Sequence, residues 1–213
     1  MDNHVNGSDS RACRIKICGL TSIPDIQAAN RTQPDYVGFV FAHSRRQVGS
    51  LQAAMMRDYL DSRIPVVGVF VNAGIQEILK LARSGIIQMI QLHGDEDQTY
   101  LEQLKLSTDL PVIRTVRVRN TVDICQAESQ NCEYLLLDTY TEGSYGGSGQ
   151  QFDWSLIPPL NKPFFLAGGI SQENAAMAAA AGAFCLDVSS SVETDGRKDL
   201  VKMEQMVRTV HRY

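Results

Sequence analysis

The sequence lacks the features that mark membrane and nucleic-acid-binding proteins. No apolar run reaches the ~18 residues that a membrane-spanning helix needs. No block of like charges occurs and the formal net charge is only −4, so a basic groove for nucleic acid has no support. We therefore expect neither a membrane nor a nucleic-acid partner.

Cysteine is scarce and lacks the spacing of a shared site. The chain has five cysteines, an odd number, and none of them forms a CxxC pair. This distribution argues against a disulfide framework and against a zinc site. Cys125, Cys132 and Cys185 are interpreted as packing residues.

The N-terminus has no apolar centre of the kind that a secretion signal needs. We expect a polar, disordered leader over residues 1–12 and one folded domain over residues 13–213. A chain of 213 residues, of which 44% are apolar, suits one domain with a full core. These features predict a cytoplasmic protein.

Apolar, β-branched runs alternate with helical patterns along the whole chain. Strands are predicted at 14–18, 36–41, 66–71, 87–92, 112–118, 134–138, 164–167 and 184–188. Helices are predicted at 24–30, 51–61, 75–84, 96–106, 121–129, 154–160, 172–181 and 198–213. Eight strand–helix units in unbroken alternation predict an α/β fold, a single (β/α)8 TIM barrel, rather than a six-stranded doubly wound sheet.

The sixth predicted strand ends abruptly in a carboxylate, Asp138, and a glycine-rich segment follows it at 143–149. Active sites of such barrels lie at the C-terminal ends of the strands. The glycines would let this loop approach a ligand closely or close over it. The alternative is an ordinary solvated loop with a capping aspartate.

Small residues follow the seventh and eighth strands, at Gly168-Gly169 and Ser189-Ser190. Their backbone N–H groups can point at an anion, and these two loops form the recurring phosphate site of the fold. The alternative is that they are only turn residues. Two such loops on consecutive strands favour phosphate binding.

Other polar residues lie at or near the strand ends. His93 is interpreted either as a ligand contact or as a structural hydrogen-bonding residue, and Asn72 and Arg117 as loop and rim residues. Lys16 and Asp187 are predicted to face one another inside the barrel mouth, because closure makes the first and eighth strands neighbours.

Ten short motifs together resemble the phosphoribosylanthranilate isomerase family over about residues 14–200. They are KICGLT from Lys16, YVGFVF from Tyr36, SRRQV from Ser44, VGVFVN from Val67, QLHGDE from Gln91, LLDT from Leu136, GGSG from Gly146, FDW from Phe152, LAGGI from Leu166 and DVSS from Asp187. Each motif is weak alone, but their order and spacing along one barrel are specific.

The resemblance implies an isomerase of tryptophan biosynthesis, an intramolecular oxidoreductase. Its reaction is the Amadori rearrangement of N-(5-phosphoribosyl)anthranilate to 1-(2-carboxyphenylamino)-1-deoxyribulose 5-phosphate, by general acid and base catalysis. It implies a small-molecule substrate, no metal and no cofactor. The protein is expected to be a monomer or a homodimer.

The resemblance also implies roles for individual residues. Cys18 is expected to be the general base and Asp138 the general acid, with Arg46 on the substrate carboxylate. Gly168, Gly169, Ser189 and Ser190 are expected to bind the phosphate, and His93 and Asp187 to complete the substrate-binding set.

Three positions depart from the family pattern. Arg45 replaces a common proline, which adds a second cation beside Arg46, so that either arginine could hold the carboxylate, with Arg46 favoured by alignment. Ser191 replaces a common glycine in the phosphate loop, and Ser148 replaces threonine conservatively.

An acid and a base of this kind need shifted pKa values. We expect burial to raise the pKa of Asp138 so that the carboxyl holds a proton, and Lys16 to favour the Cys18 thiolate, since residues two apart on a strand share a face. The alternative for Cys18 is a buried packing residue.

Two other classes remain as alternatives. The first is another phosphosugar barrel, such as a ribulose-phosphate epimerase or an indole-glycerol-phosphate synthase. The epimerase would need metal-binding His and Asp residues at several strand ends, and the synthase a catalytic lysine and an additional N-terminal helix. The second is a non-catalytic barrel that binds a phosphorylated ligand.

Overall fold

Eight parallel strands close into one barrel in the computed structural model, which describes residues 13–140 and 151–213. The strands are β1 (Arg14–Cys18), β2 (Tyr36–Val40), β3 (Val66–Phe70), β4 (Met89–Leu92), β5 (Val112–Val118), β6 (Tyr134–Thr139), β7 (Phe164–Leu166) and β8 (Cys185–Val188). They pair in chain order, and β8 pairs with β1 to complete the closure. The predicted fold class is confirmed. The predicted leader and the glycine-rich segment at 143–149 lie outside the described residues.

Helices of the described ranges alternate with these strands. They are α1 (Ile23–Thr32), α2 (Ser50–Tyr59), α3 (Ile75–Arg83), α4 (Gln98–Lys105), α5 (Thr121–Glu128), α6 (Ala175–Ala180) and α7 (Leu200–Val210). Side chains at the N-terminus cap several of these helices: Ser22 and Asp25 form a capping box at α1, and Asn120 and Asp123 form one at α5. None of these helices is long and apolar enough to cross a membrane.

The helix predicted over 154–160 is wrong, because the chain forms only a 3₁₀ turn over Trp154–Leu156 there. Pro158 and Pro159 come after one intervening residue, Ile157, and a residue before a proline is disfavoured in the helical region. The sequence reading also missed a hairpin of β9 (Glu193–Thr194) and β10 (Arg197–Lys198), which lies between β8 and α7.

The barrel interior is packed at the N-terminal end of the strands. Phe165 lies there with its ring centroid 5.8 Å from that of Tyr36, 5.7 Å from that of Tyr134 and 5.6 Å from that of Phe184. These rings form a floor together with buried aliphatic side chains such as Leu136. The interior is therefore a packed core at this end, and polar groups have room only at the C-terminal end.

Two of the three cysteines assigned to packing are buried, Cys132 and Cys185, which confirms that part of the prediction. Cys125 is exposed, so its assignment is wrong. Helix α5 buries Ile124 and Ala127, three residues apart, and Cys125 lies outside that face.

Candidate active site

A cavity of about 640 Å³ opens at the C-terminal ends of the strands. All of the predicted site residues line it, although they come from six different strand ends: Cys18, Arg46, His93, Asp138, Gly168, Gly169, Asp187, Ser189 and Ser190. Residues ending different strands of a closed parallel barrel converge on one mouth. The cavity is therefore the candidate active site.

Cys18 ends β1 with its thiol in this cavity. Its partner in β2 is Gly38, where a Cβ atom would lie 2.6 Å from the Cys18 sulfur, so only glycine leaves room for the thiol. Burial raises the pKa of Cys18 above its ordinary value, and the nearby Lys16 ammonium acts in the opposite direction but does not cancel it. The expected effect of Lys16 on the thiolate is confirmed in direction, but burial outweighs it, so the expected net lowering of the thiol pKa is wrong.

Lys16 lies two residues before Cys18 on the same face of β1 and is fully buried. Its Nζ donates hydrogen bonds to Oδ2 of Asp187 at 2.8 Å and to Oε1 of Gln91 at 2.7 Å. Strand pairing places Lys16 directly opposite Asp187. The predicted pairing of these two residues is confirmed, and it means that neither charge is buried alone.

Burial raises the pKa of Asp187, and the neighbouring Asp138 carboxyl adds to this effect while Lys16 opposes it. The same pairing raises the pKa of Lys16 although burial alone would lower it. Lys16 is therefore a cation, and it is buried close enough to the Cys18 thiol to interact with it.

Gln91 connects this ion pair with His93 and was missed by the sequence reading. Its Oε1 accepts the Lys16 hydrogen bond, so its Nε2 donates to Nδ1 of His93 at 2.9 Å. The hydroxyl of Thr115 lies 3.1 Å from the same nitrogen. An Nδ1 that accepts leaves the proton of the neutral imidazole on Nε2. The signal for Gln91 was its position two residues before His93, on the same face of the strand.

Asp138 is the second-last residue of β6 and is almost completely buried. Its Oδ1 accepts a hydrogen bond from the backbone N–H of Thr139 at 2.8 Å, and its Oδ2 lies 3.4 Å from Nε2 of His93. A chain of contacts therefore runs from Lys16 through Gln91 and His93 to the carboxyl group. The geometry of His93 suits both a ligand contact and a structural role, because it lines the cavity and its Nδ1 is hydrogen-bonded within the protein.

Arg46 lies at the rim, where its Nε and Nη2 donate to the two carboxylate oxygens of Glu193 at 2.7 and 2.9 Å. Arg45 reaches the same carboxylate at 3.2 Å, but its side chain is 64% exposed and does not line the cavity. Burial alone would raise the pKa of Glu193, but hydrogen bonds from Arg46 and Lys198 outweigh it and lower this pKa to about 2. Sequence reading missed both Glu193 and Lys198.

The two loops predicted to bind phosphate lie side by side in the cavity wall. Gly168 has φ +82°, and a Cβ atom there would lie 2.4 Å from Oγ1 of Thr139, so the backbone passes where no other residue fits. Among the described residues, the N–H groups of Gly168, Gly169 and Ser189 donate no hydrogen bond. These amides are available to an anion.

Three buried polar atoms of the cavity wall have no hydrogen-bond partner within residues 13–140 and 151–213: Nε2 of His93, Oδ1 of Asp187 and Oγ of Ser191. Buried polar atoms normally have a partner. A polar ligand in the cavity would meet a donor, an acceptor and a hydroxyl at these positions.

Asn72 lies in the loop after β3, as the sequence indicated, and Arg117 lies one residue before the end of β5. The backbone N–H of Asn72 donates to Glu96, and its side-chain oxygen accepts from the backbone of Asp95. Arg117 forms an ion pair with Asp95. Neither residue lines the cavity.

Comparison with known proteins gives one consistent result. Residues 15–209 match the family model described as N-(5'-phosphoribosyl)anthranilate (PRA) isomerase. A protein of that name from Lachnoclostridium phytofermentans is 39% identical over 94% of this chain and 98% of its own length.

Solved structures agree with the sequence match. The phosphoribosyl anthranilate isomerase of Thermotoga maritima has a TM-score of 0.83 and 32% identity over 94% of this chain and 100% of that one. Another such isomerase was solved in complex with reduced 1-(o-carboxyphenylamino)-1-deoxyribulose 5-phosphate; it has a TM-score of 0.78 and 30% identity over 94% of this chain and 100% of that one.

Proposed function

The chain belongs to the N-(5'-phosphoribosyl)anthranilate isomerase family, and we propose that the cavity at its strand ends carries out the Amadori rearrangement with Cys18 as base and Asp138 as acid. The chain is thus an isomerase of tryptophan biosynthesis. One observation supports the assignment of roles: a single cavity is lined by a thiol, a carboxyl group, a rim arginine and two loops of small residues.

The reaction needs one proton donor and one proton acceptor. The acid protonates the ring oxygen of the furanose, and the bond between that oxygen and C1′ breaks as the aniline nitrogen supplies its electron pair. The base then removes the proton on C2′, and the resulting enolamine becomes the ketone. Because the substrate nitrogen itself serves as the electron sink, no Lys Schiff base is needed.

Lys16 and His93 support these two groups. The Lys16 ammonium stabilises the Cys18 thiolate, which is the form that accepts the C2′ proton. Nε2 of His93 lies 3.4 Å from Oδ2 of Asp138 without forming a hydrogen bond, and its N–H group is close enough to stabilise the carboxylate that forms when Asp138 gives up its proton. Gln91 fixes the required imidazole tautomer through its hydrogen bond to Nδ1.

Other properties stay predictions. The reaction is proposed to need no metal and no cofactor, since acid, base and electron sink are all accounted for. A cytoplasmic location and a monomer or homodimer also stay predictions. The substrate is proposed to lie with its phosphate at the Gly168-Gly169 and Ser189-Ser190 loops and its carboxylate at Arg46.

The decisive experiment follows the fluorescence of phosphoribosylanthranilate after purified protein is added. We expect decay well above the spontaneous rate. Decay at the spontaneous rate, from protein shown to be folded, would overturn the catalytic role and leave a non-catalytic phosphosugar-binding barrel.

Arg46→Ala is expected to raise KM much more than it lowers kcat. A charge-assisted hydrogen bond contributes ~1.5–3 kcal/mol, so kcat/KM should fall by roughly 10- to 100-fold. Steady-state kinetics measures the change, with Arg208→Ala as a control because Arg208 pairs with Glu204 on the exposed face of α7. A loss of kcat/KM within about twofold would mean that Arg45 or another group, and not Arg46, binds the substrate carboxylate.

A crystal structure with a non-reactive product analogue is expected to show the phosphate group on the backbone amides of Gly168, Gly169, Ser189 and Ser190. The reason is that short side chains let the phosphate oxygens reach these N–H groups. A phosphate bound at another part of the barrel would contradict the assignment.

A further inference from the structure

The β9–β10 hairpin follows the Ser189-Ser190 loop directly and carries charged residues that no assigned role explains. Asp195 and Gly196 both have positive φ, +51° and +75°, which is the conformation of a tight two-residue hairpin turn. The turn pairs Glu193 with Lys198 across the two strands. Both side chains are buried, with 5% and 1% exposure.

Glu193 is the centre of this cluster. One of its oxygens accepts from Nε of Arg46 at 2.7 Å and from Nζ of Lys198 at 2.8 Å. The other accepts from Nη2 of Arg46 at 2.9 Å and from Arg45 at 3.2 Å. The contact with Arg46 is a bidentate fork, which fixes the plane and the direction of the guanidinium group.

The fork determines which nitrogen of Arg46 is left without a partner among the described residues. Glu193 occupies Nε and Nη2, and Nη1 makes no hydrogen bond among the described residues. Three cations surround the single carboxylate of Glu193, so this corner of the mouth keeps an excess of two positive charges. An arginine whose direction is fixed beside surplus positive charge is ready to receive an anionic group of the substrate.

Lys198 connects the same hairpin with the Ser189-Ser190 loop. Its Nζ donates to the backbone oxygen of Ser189 at 3.0 Å as well as to Glu193. The hydroxyl of Ser189 in turn donates to the backbone oxygen of Cys18 at 2.9 Å. One ion pair thus connects the arginine at the rim with the loop that follows β8.

We propose that Glu193 is a positioning and specificity-determining residue, which directs Arg46 so that the enzyme selects substrates whose aromatic ring carries a carboxylate. Glu193 acts through Arg46 and does not itself touch the substrate. The inference rests on the proposed function, because it takes Arg46 as the residue that binds the anthranilate carboxylate.

The test compares two substrates, phosphoribosylanthranilate and the phosphoribosyl derivative of aniline, which lacks the carboxylate. Glu193→Gln removes one carboxylate oxygen and places an amide N–H2 against the cations, so the fork cannot form. We expect kcat/KM for the anthranilate substrate to fall by about tenfold or more, mostly through KM. We expect the value for the aniline substrate to change by less than about twofold.

The control is Glu204→Gln, which removes an exposed glutamate paired with Arg208 on α7 and should affect neither substrate. Glu193→Gln leaves Lys198 without its buried partner, which can weaken the fold. The double variant Glu193→Gln/Lys198→Met removes both charges together. Any effect on phosphate binding is common to the two substrates, so the ratio of their kcat/KM values isolates the effect on the carboxylate.

The outcomes separate this inference from the proposed function. Equal losses for both substrates, or no loss for either in a folded variant, would overturn the role of Glu193. The Arg46→Ala variant is measured with the same two substrates. If it also fails to distinguish them, the assignment of the carboxylate to Arg46 is wrong, whereas selective loss in Arg46→Ala without selective loss in the Glu193 variants contradicts only the present inference.

Discussion

Cys18→Ala is expected to lower kcat by about 10²–10⁴-fold, the usual contribution of general acid or base assistance, while KM changes much less. The thiol lies in the cavity, the buried Lys16 ammonium interacts with it, and Gly38 leaves space for its sulfur. Removing it takes away the proposed acceptor of the C2′ proton but none of the groups proposed to bind the substrate. Cys18→Ser should recover little activity, because a serine hydroxyl is a much weaker acid than a thiol and supplies no ready alkoxide.

The pH profile gives an independent test of the same residue. The base must be deprotonated, so kcat/KM should rise with pH until the Cys18 thiol is ionised. Since burial raises the pKa of this thiol above its ordinary value of 9.0, the rise should extend into the alkaline range. Removing the Lys16 cation would raise the thiol pKa further and move the rising limb to higher pH.

The ascending limb should disappear in Cys18→Ala. Cys125→Ala is the matched control, because Cys125 is exposed on α5 and no role in the reaction is proposed for it. If Cys18→Ala kept a kcat close to that of the unmodified protein, the base would lie elsewhere, and His93 would be the next residue to test.

Asp138→Asn is expected to lower kcat by a similar factor of about 10²–10⁴, because an amide cannot donate a proton to the ring oxygen of the sugar. The carboxyl group accepts the backbone N–H of Thr139 at one oxygen and faces Nε2 of His93 with the other. An asparagine that keeps the first contact turns its N–H2 towards the proton on Nε2. The substitution therefore also places two donors against each other.

Asp138→Ala separates these two effects. It removes the carboxyl group and places no N–H2 group against the proton on Nε2 of His93. A loss in kcat of the same size in Asp138→Ala and Asp138→Asn would show that the missing proton donor is responsible. Nitrogen NMR of the imidazole tests the proposed tautomer directly, with the proton expected on Nε2 of His93. Full kcat in Asp138→Ala would exclude this carboxyl group as the acid.

The two groups serve one reaction, so their losses are not expected to multiply. The double variant Cys18→Ala/Asp138→Asn should lose less than the product of the single losses once another step becomes limiting. Single-turnover kinetics of the three variants measures this coupling. Strictly multiplicative losses would contradict this expectation and would mean that the two residues contribute independently to one rate-limiting transition state.

The barrel and its mouth could be predicted from the sequence because both depend on local patterns. A strand buried on both faces is an apolar run whatever its neighbours are, and the alternation with helices leaves few possible architectures. Closure then brings the C-terminal ends of all strands to one end of the barrel. For this reason the strand order alone predicts that Cys18, Asp138 and Gly168 line one cavity.

Predictions failed where the outcome depends on distant parts of the chain. The pKa of Cys18 depends on how much water the finished cavity excludes, which no local pattern gives. Glu193 acquires its role from Arg46, which lies far from it in sequence. The wrong prediction of a helix at 154–160 has a local cause. Pro158 and Pro159 are helix-terminating residues in the sequence itself, and they limit the segment to a 3₁₀ turn.

The sequence by itself therefore determined the fold class, the end of the barrel that carries the site and the residue types that meet there, because each of these depends on periodicity and strand order. Only the tertiary structure decided how those residues are connected: the contacts from Lys16 through Gln91 to His93, and the fork of Glu193 on Arg46. Such contacts join residues from different strands and loops, and their distances and directions exist only once the barrel has closed.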